Sequence, residues 1–199
     1  MERPPLWAKI TDGLNAVVWR LPVPHRAKKI LSGSIYRNPA MDEARVVQAL
    51  EALEREGVAP CCMGGWGVDA LVGEETRKHR DLDLIVEPQD EEAALRALAG
   101  LGYRKWYDQP PAANDPLAAR IVVRDRGMRV VDVHPVDFEA AGLAIVTGSI
   151  GGHAVQCLSA EAQVRAHESF RKRLPHERRS QLRNAEVARR ALETESGSP

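Results

Sequence analysis

The run GGWGVDALVGEETRKHRDLDLIV, Gly64 to Val86, decides how this chain folds. Its last part alternates polar and apolar residues: Asp81, Leu82, Asp83, Leu84. Neighbouring residues of a strand point to opposite faces, so Asp81 and Asp83 share one face while Leu82 and Leu84 enter a core. Two carboxylates about 6.5–7 Å apart at Cα repel one another and require a compensating charge. A divalent cation supplies it, since Mg²⁺ is bound through one or two carboxylates plus substrate phosphates. An Asp pair on an exposed strand would read the same way, so the pair alone is weak. The turn before it adds weight. The apolar run Ala59–Met63 reads as a buried strand that ends at Gly64-Gly65, with a helix beginning near Trp66. Glycines allow close backbone approach, and the unpaired N–H groups of a helix start hold phosphate.

Working outward, residues 41–57 place Val46, Val47, Leu50 and Leu53 on one helical face, and Gly57 stops the helix. A second helix over 90–102 follows the Asp81–Glu87 strand. Tyr103–Tyr107 reads as a strand and Gln109–Pro116 as a loop. Residues 118–125 and 128–136 read as two strands joined by a tight turn at Arg126-Gly127. One or two short strands fill 149–159, and helices follow from Ser159, the second over roughly 176–193. This order predicts an α+β (mixed α/β) fold: a mixed sheet backed by helices, with C-terminal helices and an N-terminal appendage. The expected divisions are an appendage over 1–38, a core over 39–158 and a helical segment over 159–199. In the appendage, Trp7, Ile10, Leu14, Val17, Val18 and Leu21 fall near helical spacing until Pro22 and Pro24.

Two further features belong with the pair. Asp132 alternates with Val131 and Val133, so it shares a face with His134. If its strand lies beside the 81–87 strand, Asp132 completes a carboxylate cluster, as a third ligand or as the general base for an acceptor hydroxyl. His134 reads equally as an orienting, acceptor-touching or structural residue. Within Glu74–Asp81, Arg77 and His79 are the candidates for holding a triphosphate, with Lys78 and Arg80 expected to be exposed.

Composition is that of an ordinary globular chain of 199 residues, with 28% charged and 44% hydrophobic residues. No apolar stretch is long enough to span a membrane, and the first residues lack the layout of a secretory signal. Cys61, Cys62 and Cys157 have no zinc spacing and read as reduced core thiols of a cytoplasmic protein. The zero net charge divides into +5 over residues 1–38, −8 over 39–159 and +3 over 160–199. An acidic centre attracts cations, though acidic helix faces give the same count.

Met63–Val86 resembles the nucleotidyltransferases of the DNA-polymerase-beta superfamily, and within it the branch of aminoglycoside 2″-adenylyltransferases and lincosamide nucleotidyltransferases. The similarity extends over about residues 41–170, through VDVHP and GGHAVQCLSAEAQVRAH, and leaves out the first 38. Many members of the superfamily carry Gly-Ser at the turn, whereas this branch, like this chain, carries Gly-Gly. The resemblance implies Mg²⁺-dependent transfer of a nucleoside monophosphate, usually AMP from ATP, to a small-molecule hydroxyl such as that of an antibiotic. It implies two Mg²⁺ ions on Asp81, Asp83 and Asp132, a phosphate turn at Gly64, Gly65 and Trp66, and Arg77 and His79 near the triphosphate. Acceptor specificity does not carry over. Asp108, Asp115, Asp137 and Glu139 are candidates for an acidic acceptor pocket or for plain loop surface. A tRNA or protein acceptor is the second reading, favoured slightly by the basic ends and disfavoured by only 5% aromatic residues. A non-catalytic nucleotide-binding protein is the third. The chain is read as a monomer or homodimer.

Overall fold

The computed structural model describes residues 40–109, 117, 119–171 and 183–191. The expected N-terminal helix, the Pro110–Pro116 part of the loop and the 176–182 part of the last helix lie outside them. Seven strands form one mixed sheet in the order β3-β4-β5-β2-β1-β7-β6. In chain order the elements are α1 (Glu43–Arg55), β1 (Cys61–Met63), α2 (Gly64–Val72), β2 (Asp81–Val86), a 3₁₀ turn (Pro88–Asp90), α3 (Glu91–Gly100), β3 (Arg104–Gln109), β4 (Arg120–Arg124), β5 (Val130–Pro135), β6 (Ile145–Ile150), β7 (His153–Leu158) and α4 (Ala160–Arg171). Residues 183–191 form a further helix, α5.

Helix α1 is started by Asp42, whose carboxylate accepts the Arg45 N–H at 3.0 Å. Such a cap contributes about 1 kcal/mol. The apolar face of α1 enters the main core, where Leu50 and Leu53 meet Leu82, Leu84 and Val131. The alternation predicted for β2 holds: Leu82, Leu84 and Val86 lie in that core, while Ile85 lies in a second cluster on the other face. Strand β5 does the same with Val131 and Val133. The second cluster, with Met63, Ile85, Val136 and Leu158, is partly roofed by Leu117, Phe138 and Ile145. Period-2 alternation therefore sends Asp81, Asp83, Asp132 and His134 to the face opposite α1 and α3.

Two local expectations shift. The helix after β1 begins at Gly64 rather than near Trp66, so both glycines belong to its first turn. The β4–β5 connection is longer than a two-residue turn, and its left-handed residue is Met128 at φ 67°, not Gly127. Asp125 explains it: its carboxylate accepts the Arg129 N–H at 2.9 Å and pairs with the Arg129 guanidinium at 2.8 Å. The chain between 149 and 159 resolves into a hairpin, with Ile150 opposite His153. All three cysteines are free and buried. Burial pushes the Cys61 thiol up to about 12 and Cys157 to about 11, which keeps them protonated and inert. No helix among the described residues is long and apolar enough to cross a membrane.

Candidate active site

The site forms where three pieces of backbone meet. Strand β1 runs antiparallel to β2 with Met63 opposite Asp83. Strand β5 runs parallel to β2 with Asp83 opposite Asp132. The chain leaves β1 directly into α2, so the start of that helix sits over Asp83. The fit there is close: a Cβ on Gly64 would lie 2.1 Å from Asp83 Oδ2. Gly64 also has φ +65°, a conformation other residues adopt only with strain. A Cβ on Gly65 would lie 2.1 Å from His79 Nδ1 and 3.0 Å from Arg77 Nη2. No side chain caps α2 and no acid occupies its first turn, so its N–H groups and positive dipole end remain available to an anion.

The ligand atoms of Asp83, Asp132 and His134 lie within 4.8 Å of one another. Asp81, at the exposed entry of β2, is not in that tight group, though its charge acts on it. The Asp132 carboxyl is pushed up to about 6, chiefly by burial, with Asp81 adding and Arg120 opposing. Arg120 Nη1 donates to Asp132 Oδ2 at 2.8 Å, while Asp132 Oδ1 is buried without a hydrogen-bond partner. An unpaired buried carboxylate oxygen is costly and suits a cation. The donor set therefore fits a divalent metal ion.

The basic candidates sit beneath and beside the turn. His79 is 2% exposed, and its Nε2 lies 2.5 Å from Asp69 Oδ2. Asp69 is equally buried and also accepts the Thr76 hydroxyl at 2.6 Å. His79 thus supports Gly65 from inside the fold rather than facing solvent. The Trp66 indole is likewise in the core, 4.8 Å from the His79 ring, so only its backbone belongs to the turn. Arg77 reaches past Gly65 to Asn184 Oδ1 at 3.1 Å. Burial lowers its pKa, and the charges of Asp69, Asp81 and Asp83 oppose that. Lys78 and Arg80 are exposed as expected. Of the acidic acceptor candidates, Asp108 pairs with Lys105 on an exposed strand and Asp137 accepts the Ala140 N–H at 2.8 Å. Glu139 is exposed, and Asp115 lies outside the described residues.

Four contributors escaped sequence reasoning: Arg120, Asn184, Gln163 and His167. Gln163 and His167 are one turn apart on α4 and both buried. Gln163 closes on Gly67, where a Cβ would meet its Nε2 at 2.2 Å. His167 has its pKa lowered to about 4 by burial and by Arg77, against a hydrogen bond to the Gly64 backbone. Their one sequence signal was the i, i+4 spacing of two polar residues on an otherwise apolar helical face.

Residues 45–147 match the family model described as aminoglycoside-2″-adenylyltransferase. A lincosamide resistance protein of Staphylococcus haemolyticus is 25% identical over 150 residues, 67% of this chain and 89% of that one. Among solved structures, the lincomycin-bound lincosamide antibiotic adenylyltransferase LnuA superposes with a TM-score of 0.60 at 21% identity, covering 74% of this chain and 98% of that one. ANT(2″)-Ia in complex with adenylyl-2″-tobramycin gives 0.63 at 22% identity, covering 77% and 91%. At these identities the two structures establish a shared fold.

Proposed function

Since the chain belongs to the aminoglycoside-2″-adenylyltransferase family, we propose that it transfers a nucleoside monophosphate, AMP from ATP, to a hydroxyl of a small antibiotic-like acceptor. The chain is a nucleotidyltransferase, and its relatives are antibiotic adenylyltransferases. The observation that carries the finer reading is the juxtaposition of Asp83 and Asp132 across β2 and β5 beneath the uncapped start of α2.

Asp81, Asp83 and Asp132 would hold Mg²⁺, which when bound neutralises phosphate charge and lowers the pKa of an acceptor hydroxyl. The N–H groups of Gly64, Gly65 and Trp66 hold phosphate oxygens at the helix start. Arg77 adds a fixed positive charge there, and His79 with Asp69 keeps Gly65 in place. Asp132 takes the proton of the acceptor hydroxyl, while Arg120, donating to Oδ2, sets the carboxylate plane. The acceptor oxygen then bonds to the α-phosphorus as the bond to pyrophosphate breaks. Most of the acceleration comes from positioning and charge neutralisation.

The test is incubation with labelled ATP, GTP, CTP and UTP, Mg²⁺, and a panel of lincosamides, aminoglycosides and tRNA. Transfer of one nucleoside monophosphate to an antibiotic, read as a mass increase, is expected. Labelling of tRNA alone, or of nothing, would contradict the proposal.

A further inference from the structure

The cluster contains a donor that an all-carboxylate site would not. His134 lies two residues beyond Asp132 on β5, on the same face, with its side chain 3% exposed. Its Nδ1 is 3.0 Å from the Leu117 carbonyl. A carbonyl only accepts, so Nδ1 carries a proton, and of the two neutral tautomers this contact selects the one whose lone pair is at Nε2. This is the backbone contact that fixes a metal-binding histidine in its working tautomer. Nε2 lies 4.0 Å from Asp83 Oδ1. That is too long for a hydrogen bond. It is within reach of two ligands on one ion, each at about 2.0–2.2 Å. Independently, Asp132 Oδ1 is aimed into the same space without a hydrogen-bond partner, on a side chain only 8% exposed.

We propose that His134 Nε2 is a metal ligand beside Asp83 and Asp132, and that the site therefore takes a divalent transition ion such as Mn²⁺ in preference to Mg²⁺. The inference rests on the transfer reading only for the role of the site. Mg²⁺ prefers oxygen donors, whereas imidazole favours transition ions. An ion on this set would meet one nitrogen and at least two carboxylate oxygens.

The experiment titrates Mn²⁺ alone into the full chain and records pulsed electron paramagnetic resonance. The wild type should show modulation from a directly bound imidazole ¹⁴N. Mn²⁺ should displace Mg²⁺ with an affinity advantage of about tenfold or more. In His134→Gln and His134→Asn the nitrogen modulation should vanish and Mn²⁺ binding weaken by about 10–100-fold, with Mg²⁺ binding changed less than about threefold. Asp83→Asn, which leaves His134 in place, should lose the ion. A wild-type spectrum without nitrogen coupling overturns the proposal whatever the variants do, and so does coupling that survives in a folded His134 variant. Nucleotide transfer by an enzyme with a nitrogen-free spectrum would sink the ligand assignment alone. A nitrogen-coupled ion in a protein that transfers to no acceptor would sink the transfer reading and leave the ligand standing.

Discussion

At the scale of single residues, the site depends on one missing atom. Gly64 is required twice, by its φ of +65° and by the Asp83 carboxylate packed against it. Gly73 offers a comparison, since it has φ +79° and nothing within 4 Å of an added Cβ. Both Gly→Ala changes should cost about 1–3 kcal/mol through backbone strain, measured by denaturant unfolding. Only Gly64→Ala should also reduce nucleotide transfer, by about tenfold or more, because one atom displaced near reacting groups is costly in rate. Equal transfer by the two variants would show that close packing at Asp83 is irrelevant. Asp81 and Asp83 were legible because strand alternation is a local rule. Asp132 was legible only under the condition that β5 neighbours β2, because parallel pairing joins segments about fifty residues apart and leaves no trace in either. The roles of His79 and Trp66 were harder to read. A basic loop residue was expected to face phosphate, yet Asp69, ten residues earlier, draws His79 into the core.

At the scale of elements, α2 is held from two sides: by the sheet, against β6 most of all and also β1, β2 and β7, and by α4 through Gln163 and His167. The hydrogen bond between His167 and the Gly64 backbone ties α4 to the phosphate turn. His167 has a folded-state pKa of about 4, below its ordinary 6.5. The unfolded chain therefore binds the proton first, and the stability this residue contributes is present above about pH 6.5 and lost as pH falls toward 4. The difference in unfolding free energy between wild type and His167→Gln should thus shrink by on the order of 2–3 kcal/mol across that interval. A pH-independent difference would mean that His167 is not held neutral against the turn. Helices α1 and α3 and the hairpins were readable from periodicity and from glycine stops. The packing of α4 on α2 was not, since a buried glutamine and histidine on an apolar face carry no address.

At the scale of the whole molecule, the sheet separates tasks. One face, under α1 and α3, is a buried apolar core, and the other carries the acids beside the α2 start. The division into an appendage over 1–38, a core over 39–158 and a helical segment over 159–199 is proposed with one qualification. The last segment belongs functionally to the core, because Asn184 of α5 holds Arg77 and His167 of α4 meets Gly64. Acceptor choice was not legible, since it depends on surface assembled from distant loops rather than on any periodic pattern. The acidic face is proposed to perform nucleotidyl transfer. That role is tested most directly by measuring acceptor mass and pyrophosphate release for wild type, Asp81→Asn and Asp83→Asn with ATP and Mg²⁺, after confirming that each variant is folded. Wild type should convert an acceptor, and both variants should lose transfer by about 10³-fold or more, as expected when charge neutralisation at the reacting phosphate is removed. Full activity in either folded variant would contradict it.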